Sequence, residues 1–297
     1  MVGVYHRGVQ ARDLAVRRPV TNSQVLTVDG ESVATRRDQL ATEEPMEIRV
    51  QGPGQEPVPF AVTMRTPGND FELAAGLCRT EGLIAAATDL DTIAYCLTAG
   101  LAADDDRPEQ QYNVVTVRLR APVPAGVRER RYLANSSCGI CGKAALDEVE
   151  IRCEPVGSGP RIAASVVRSL PDLLAARQRV FDQTGGLHAA ARFTAAGELV
   201  AAREDVGRHN ALDKLLGHAL LEGRLPLADQ VLLVSGRLSF ELVQKAAIAG
   251  IPVLCAVSAP SSLAVAAAER FGQTVIGFLR GARFNVYSHP DRIDLAA

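Results

Sequence analysis

The stretch QVLLVSGRLSFELVQKAAIAGIPVLCAVSAPSS, residues 230–262, contains the pattern that decides the fold. Two continuous apolar runs, 230–234 and 251–257, each end in a polar turn, and a helical pattern through about Ala249 separates them. Unbroken apolar strands that alternate with helices are typical of a parallel sheet covered on both faces. A second helix to about Phe271 and a strand over 274–278 continue the repeat. The sequence therefore predicts an α/β domain with a mostly parallel sheet and helices on both faces.

The segment before this stretch predicts more of the same domain. Residues 187–193 and 198–202 have the composition of a strand pair around an Ala196-Gly197 turn, and residues 206–221 have an amphipathic helical pattern. Leu170-Pro171-Asp172 indicates the start of a helix that ends at Gly185-Gly186.

The first half of the chain predicts a smaller α+β region in which strands outnumber helices. Residues 47–50 and 58–64 suggest a hairpin, a helix is expected to begin with Asn69 or Asp70 as its cap, and further strands are expected over 93–97, 112–119 and 128–133. We therefore divide the chain into an N-terminal α+β domain, 25–134, and a larger α/β domain, 135–297. Residues 1–24 show no periodicity and are expected to form a disordered arm.

Composition narrows the class of protein. The chain has 297 residues, 47% of them hydrophobic, and a formal net charge of -2. These values indicate a globular protein without the basic field that nucleic-acid binding requires. No apolar run reaches the roughly 18 residues of a membrane span, and the N-terminus has no apolar signal segment. We therefore expect a cytoplasmic protein that binds neither nucleic acid nor a membrane.

Two strand-to-helix turns, Ser235-Gly236-Arg237 and Ser258-Ala259-Pro260-Ser261-Ser262, are candidate binding elements. Both should lie at the carboxyl edge of one sheet, where ligands of open α/β proteins bind and where helix N-termini offer free amides to anions such as phosphate. The simpler alternative is that the serines only cap their helices. The candidate ligand contacts are Ser235, Gly236, Arg237, Ser258 and Ser261.

Two further segments carry clustered polar residues. Residues 203–210 (REDVGRHN) are dense in charge where a strand runs into a helix, and this density indicates a ligand-facing surface or an interface that includes His209. His188 is a possible additional member. Residues 277–281 (GFLRG) place an aromatic ring and an arginine at the end of the last strand, where they could stack on a base and pair with a pyrophosphate.

The CxxC pair in Ser136-Ser137-Cys138-Gly139-Ile140-Cys141-Gly142-Lys143 indicates thiol chemistry. The glycines allow a tight turn, and Lys143 favours the thiolate. As half of a zinc site the pair lacks a second CxxC or an HxxxH. As a thioredoxin-type dithiol it stands in the wrong place, after an entire β-rich region. A thiol that accepts sulfur as a persulfide is the remaining possibility. Cys78, Cys96, Cys153 and Cys255 are expected to be packing residues.

With these motifs in this order, the chain resembles the FdhD family of sulfur carrier proteins needed for active formate dehydrogenase. The resemblance covers the chain from about Glu47 to the C-terminus. It implies that a cysteine desulfurase loads a persulfide on the CxxC loop, with Cys138 as the carrier and Cys141 assisting. The sulfur then passes to the molybdenum of the bis(molybdopterin guanine dinucleotide) cofactor, which is inserted into formate dehydrogenase.

The resemblance also implies a site and an assembly. The cofactor-contacting segment of the family maps onto Gly277, Phe278, Leu279, Arg280, Gly281 and Ala282. The larger domain is expected to have the cytidine deaminase fold without its zinc, and the protein to form a homodimer. A zinc deaminase needs His-x-Glu and Pro-Cys-x-x-Cys, whereas Ser137 precedes Cys138 here. Two other classes stay open: a cofactor chaperone without sulfur transfer, and a CxxC dithiol oxidoreductase.

Overall fold

A computed structural model describes residues 18–95, 113–129, 132–133 and 155–295. The CxxC loop with Cys138 and Cys141 lies outside the described residues, as do Cys96 and Cys153. The described residues form an exposed hairpin and two sheet-containing lobes.

The hairpin consists of β1, Val20–Asp29, and β2, Ser32–Ala41, paired in antiparallel register around Gly30 and Glu31. Gly30 has a φ of 59°, which a turn of this kind favours in glycine. The predicted arm, 1–24, therefore extends too far, because residues 20–24 belong to β1. β-branched residues on both sides of Asp29-Gly30 drive the pairing, although most of the hairpin is exposed.

The first lobe is a five-stranded sheet in the order β5-β6-β3-β4-β7 with one helix packed on it. Its elements are β3 Glu44–Gln51, β4 Val58–Arg65, α1 Asp70–Thr80, β5 Leu90–Tyr95, β6 Val114–Leu119, α2 Ala125–Glu129 and β7 Tyr132–Leu133. The predicted hairpin and helix are confirmed. Asn69 occupies the N-cap position, but it has a φ of 58° and its side chain makes no capping hydrogen bond.

The strand predicted over 128–133 is wrong at residues 128 and 129, because residues 125–129 form the short helix α2. Tyr132–Leu133 is extended as predicted, in parallel pairing with Ala61 and Val62 of β4. The helical segment follows Pro124, whose fixed φ suits the residue before a first helical turn.

The second lobe is a six-stranded mixed sheet in the order β10-β9-β11-β12-β13-β14. Its strands are β9 His188–Thr194, β10 Leu199–Asp205, β11 Gln230–Val234, β12 Val253–Ala256, β13 Thr274–Arg280 and β14 Arg283–Ser288. The pairs β11–β12 and β12–β13 are parallel, as their apolar runs predict. The pairs β10–β9, β9–β11 and β13–β14 are antiparallel. The α/β class is confirmed, whereas the expectation of a mostly parallel sheet is corrected, because hairpin turns connect β9 to β10 and β13 to β14.

Helices cover both faces of this sheet, as predicted. On one face pack α5 Arg208–Leu221, α6 Phe240–Ile248 and α7 Ser262–Phe271, and on the other α3 Ala164–Ala175. The helix predicted from Leu170 to Thr184 is two helices, α3 and α4 Arg179–Thr184, and Pro171 lies inside α3. Gly185 ends α4 with a φ of 66°. The strands β8 Ile162–Ala163 and β15 Ile293–Asp294 form a small parallel pair beside α3.

The two lobes meet mainly where α1 packs along α5. Polar contacts supplement this packing: Lys245 Nζ lies 2.7 Å from Asp213 Oδ2 and donates to Thr80 Oγ1 at 2.9 Å. Within the part of the chain that the structure describes, no helix is both long and apolar enough to span a membrane.

Candidate functional site

The two polar turns and the end of β13 converge at one edge of the mixed sheet. The backbone N–H of Leu238 donates to Ala259 O at 3.1 Å, and the N–H of Ser261 donates to Leu238 O at 2.9 Å. The N–H of Phe278 donates to Ser258 O at 3.0 Å. The sequence therefore correctly placed these three segments together at the carboxyl ends of β11, β12 and β13.

The hydroxyl groups at this edge have partly structural roles. Ser261 Oγ accepts from the N–H of Ala264 at 3.2 Å and caps α7, so the alternative that this serine caps its helix is correct. Ser235 Oγ accepts from the N–H of Ala189 at 2.9 Å and extends the contact between β11 and β9. Arg237 is exposed beside Gly236, and Ser258 is half-buried. Arg237 and Ser258 are therefore better placed for a ligand than Ser235 or Ser261.

Residues 277–282 comprise the irregular last part of β13, Gly277 to Arg280, and the turn of Gly281 and Ala282 that follows it. The pairing of β13 with β14 shifts register between Gly277 and Arg280, and Phe278 has a φ of 52° while 42% of its surface is exposed. A non-glycine residue in the left-handed region is strained, and such strain is frequent at functional sites. The backbone conformation therefore holds the Phe278 ring exposed to solvent. Neither burial of the ring nor the pairing of β13 with β14 accounts for this position.

Some of the other residues of this segment are exposed to a ligand, and the rest serve packing. Arg280 is exposed, and its Nε donates to Val257 O at 3.2 Å. Gly281 and Ala282 are exposed in the turn before β14. Leu279 is fully buried in the core on the α3 side, so its side chain does not line this surface. At Gly277 a Cβ would lie 2.7 Å from Pro260 Cδ, which explains the glycine.

The REDVGRHN cluster is in large part an interface between the lobes. Asp205 is fully buried and accepts from Lys214 Nζ at 2.7 Å, from the N–H of Thr66 at 3.1 Å and from Asn210 Nδ2 at 3.0 Å. Asn210 Nδ2 also donates to Met64 O at 2.7 Å. These residues join α5 and β10 to the loop after β4.

Arg203 and Glu204, which precede Asp205 in the cluster, also form hydrogen bonds to neighbouring elements. Arg203 Nη2 donates to Glu72 Oε1 of α1 at 2.8 Å. The Glu204 carboxylate accepts from the N–H groups of Val180 and Phe181 at 3.2 and 2.8 Å and caps α4. The interface expected from the density of this motif is therefore present, and only Arg208 and His209 are left to face the sheet edge.

His209 is held by an acidic residue of the neighbouring helix. Its Nε2 lies 2.7 Å from Glu241 Oε2 and 3.5 Å from Ser239 Oγ at the start of α6. The hydrogen bond from His209 lowers the pKa of Glu241 and keeps the carboxylate charged. The contacts with α6 therefore orient His209 at this edge of the sheet.

His188 and Arg208 complete the site, although the sequence pattern indicated them only weakly. The antiparallel register of β9 with β10 places His188 opposite Asp205, and a Cβ at Gly236 would lie 3.2 Å from His188 Nδ1. Burial, reinforced by Arg208 and His209, lowers the pKa of His188, so the free imidazole is neutral near pH 7. The Nε of Arg208 is buried without a hydrogen-bond partner among the described residues.

The described cysteines are not candidates for chemistry. Burial raises the pKa of the Cys255 thiol to about 12. Burial, together with Asp213 and Glu81, raises the pKa of Cys78 far above its usual range. Both are packing residues, as predicted.

The assembled edge has the chemistry of an anion site with an aromatic platform. Arg208, Arg237 and Arg280 supply positive charge, the start of α5 and α6 supplies free backbone amides, and Phe278 supplies an exposed ring. Guanidinium groups and helix N-termini bind phosphate oxygens, and exposed aromatic rings stack on bases. This combination suits a nucleotide with a diphosphate.

Residues 41–294 match the model of the FdhD/NarQ family. A protein named sulfur carrier protein FdhD from Streptomyces avermitilis is 53% identical over 285 residues, which cover 94% of this chain and 98% of that protein. The protein of the same name from Mycobacterium tuberculosis is 49% identical over 275 residues, 91% of this chain and 97% of that protein.

A similar fold occurs in a crystal structure of a proposed formate dehydrogenase accessory protein from Desulfotalea psychrophila. The TM-score is 0.71 at 24% identity, and the match covers 93% of this chain and all of that chain. At this identity the comparison supports the fold alone. The mixed α/β architecture is therefore shared with a solved protein.

Proposed function

The chain belongs to the FdhD/NarQ family, and from this premise we propose that it is a sulfur carrier for the maturation of formate dehydrogenase. It accepts sulfur as a persulfide from a cysteine desulfurase and transfers it to the bis(molybdopterin guanine dinucleotide) molybdenum cofactor. The observation that carries the proposal is the near full-length match, at about half identity, to relatives named sulfur carrier protein FdhD. In this proposal the protein works in the cytoplasm as a homodimer.

Sulfur loading requires one nucleophilic cysteine. The Cys138 thiolate attacks the outer sulfur of the desulfurase persulfide, a new S–S bond forms on Cys138, and the desulfurase thiolate leaves. This exchange needs no external oxidant or reductant. Lys143 favours the attacking thiolate, whereas the buried thiols of Cys78 and Cys255 stay protonated.

Delivery of sulfur as sulfide requires two electrons, and a second cysteine can supply them. Attack of the Cys141 thiolate on the inner sulfur of the Cys138 persulfide releases sulfide and leaves a Cys138–Cys141 disulfide. Both atoms and electrons balance in this step, since the dithiol is oxidised as the sulfane sulfur is reduced. The CxxC spacing thus accounts for a carrier cysteine and an assisting one.

The basic sheet edge is the proposed binding site of the cofactor as substrate. Arg208 Nε, which has no hydrogen-bond partner among the described residues, and the exposed Arg237 and Arg280 fit the pyrophosphate, and Phe278 fits the guanine base. Gly281 and Ala282, in the exposed turn beside Phe278, leave room for the ligand. The arrangement supports binding of a guanine dinucleotide at the edge where β11, β12 and β13 end.

Complementation tests this function. A formate-dehydrogenase-producing host that lacks its own family member should recover enzyme activity with the wild-type chain, and activity should fall at least tenfold with Cys138→Ala. Cys255→Ala, which removes a buried packing thiol, is the matched control and should retain activity. Full activity of Cys138→Ala would contradict sulfur transfer and favour a cofactor chaperone whose cysteines only shape the loop.

A further inference from the structure

Two imidazole and two guanidinium groups meet around the turn after β11. His188 packs against Gly236, Arg208 and His209 begin α5, and Arg237 follows Gly236. All three of these neighbours interact electrostatically with His188. The cluster therefore concentrates positive charge beside the proposed phosphate-binding turn, Ser235–Arg237.

The negative groups near this cluster are already occupied. Asp205 faces His188 from β10, but Lys214 lies 2.7 Å from its carboxylate and compensates its charge. Glu241 of α6 pairs with His209 at 2.7 Å. Among the described residues, none forms an ion pair with Arg208 or Arg237 within 4 Å. His188 is the one imidazole of the cluster without a carboxylate of its own in the described chain.

We propose that binding of a diphosphate ester at this cluster is coupled to uptake of a proton by His188. This inference rests on the proposed function and adds a regulatory property to the same site. In the free protein, burial together with Arg208, His209 and Arg237 keeps the imidazole neutral. A bound diphosphate brings two negative charges next to it, neutralises the guanidinium groups and reverses the balance, so the charged imidazole is favoured.

The sign of the resulting pH dependence follows from linkage. The pKa of His188 is lowered in the free protein and rises when the anion binds, so the complex holds more protons than the free protein. Affinity is therefore highest at low pH and weakens as pH rises through the pKa of the complex. Full uptake of one proton weakens affinity by up to about tenfold per pH unit. Cofactor held at slightly acid pH would be released more readily at alkaline pH.

The probe must not titrate near neutral pH itself. The terminal phosphate of a nucleoside diphosphate does, since phosphate monoesters have a second pKa of about 6. GDP-mannose avoids this problem because both of its phosphates are esterified, as they are in a dinucleotide. Isothermal titration calorimetry in buffers of different ionisation enthalpy, at pH 7, counts the protons taken up per bound GDP-mannose.

For the wild-type protein we expect uptake of between about half a proton and one proton, by linkage. In His188→Gln we expect binding without uptake, and an affinity that changes less than about twofold between pH 6 and 8. His289→Asn is the matched control, because asparagine tolerates the φ of 43° at His289, and this imidazole lies away from the cluster, beside Glu269. It should behave as wild type.

Guanosine supplies the base without phosphate and should bind, if at all, without proton uptake. Uptake that persists in His188→Gln, or that is absent in the wild-type protein although GDP-mannose binds, would overturn the inference and leave the proposed function intact. Failure of GDP-mannose to bind the wild-type protein would overturn both this inference and the proposed cofactor site.

A second measurement does not depend on any variant. The imidazole resonances of the wild-type protein, followed by NMR against pH with and without GDP-mannose, report the pKa of each histidine. We expect one histidine, assigned to His188, to move to a higher pKa in the complex while His218 and His289 do not. A higher pKa for His209 alone would contradict the assignment to His188.

Discussion

Gly76 of α1 lies against Gly217 of α5 at the contact between the two lobes. A Cβ at Gly76 would collide with the carbonyl oxygen of Asp213, and one at Gly217 would collide with the carbonyl oxygen of Glu72. The two helix backbones therefore approach as closely as only glycine permits. Because α5 begins at Arg208 and His209, this contact fixes the position of the candidate site relative to the first lobe.

Substitution of Gly217 by alanine should destabilise the protein. The obstructing atom belongs to helix backbone and cannot rotate away, so α1 and α5 must separate, at a cost on the order of 3 kcal/mol of unfolding free energy. Urea unfolding measures this loss. Gly126→Ala is the control, since no atom of the described residues lies within 4 Å of its Cβ position. A loss below about 1 kcal/mol in Gly217→Ala would show that the contact is looser than described.

Phe278→Gly should separate stability from ligand binding. Glycine adopts a φ of 52° without strain, so the unfolding free energy should stay constant or rise by about 1 kcal/mol. Loss of the exposed ring should weaken binding of GDP-mannose by roughly tenfold, since stacking on one base contributes about 1–3 kcal/mol. Thermal unfolding and calorimetry give the two values. Unchanged affinity would remove Phe278 from the site.

Lys214→Met should be among the most damaging single substitutions at the interface. Lys214 is 1% exposed and Asp205 0%, so the variant leaves a buried carboxylate without its cation, at a cost of about 3–5 kcal/mol. Urea unfolding at pH 7 measures the change. The double variant Asp205→Asn/Lys214→Met removes the stranded charge and should recover part of the loss. Equal stability of the two variants would contradict the role of this charge pair.

The reactivity of the cysteines should differ sharply. At pH 8 neither Cys78 nor Cys255 should react with iodoacetamide in the native protein, because both are buried and their raised pKa values leave almost no thiolate. Cys138 should react within minutes. Peptide mapping after timed labelling identifies each site, with urea-denatured protein as the control in which all six react. Rapid native labelling of Cys255 would contradict its burial.

The sequence predicted the central sheet well, because its signals are local. Continuous apolar runs at 230–234 and 251–257 correspond to the buried parallel strands β11 and β12. The hairpin β1–β2 was missed, although Asp29-Gly30 between β-branched segments is a turn signal. Most of its residues are exposed and the rest are only half-buried, so its strands lack the clear alternation of apolar and polar residues on which strand prediction depends.

The candidate site was predicted only in part. Ser235–Arg237 and Ser258 each follow a strand and Phe278 lies near the end of one, so topology alone brought them to one edge. The position of His188 opposite Asp205 depends on a hairpin register, and the lack of a described hydrogen-bond partner at Arg208 Nε depends on side-chain packing. Neither has a local signature. The burial of Leu279 inside a segment assigned to ligand contact likewise follows from the irregular register of β13 with β14.

The central claim is that Cys138 carries sulfur, and intact mass spectrometry tests it most directly. The purified protein is incubated with a cysteine desulfurase and cysteine, in parallel with Cys138→Ala and Cys141→Ala. We predict that the wild-type chain gains the mass of one sulfur atom, that a thiol reductant removes this gain, and that Cys138→Ala shows no gain. No added sulfur in the wild-type chain, or an equal gain in Cys138→Ala, would contradict the account.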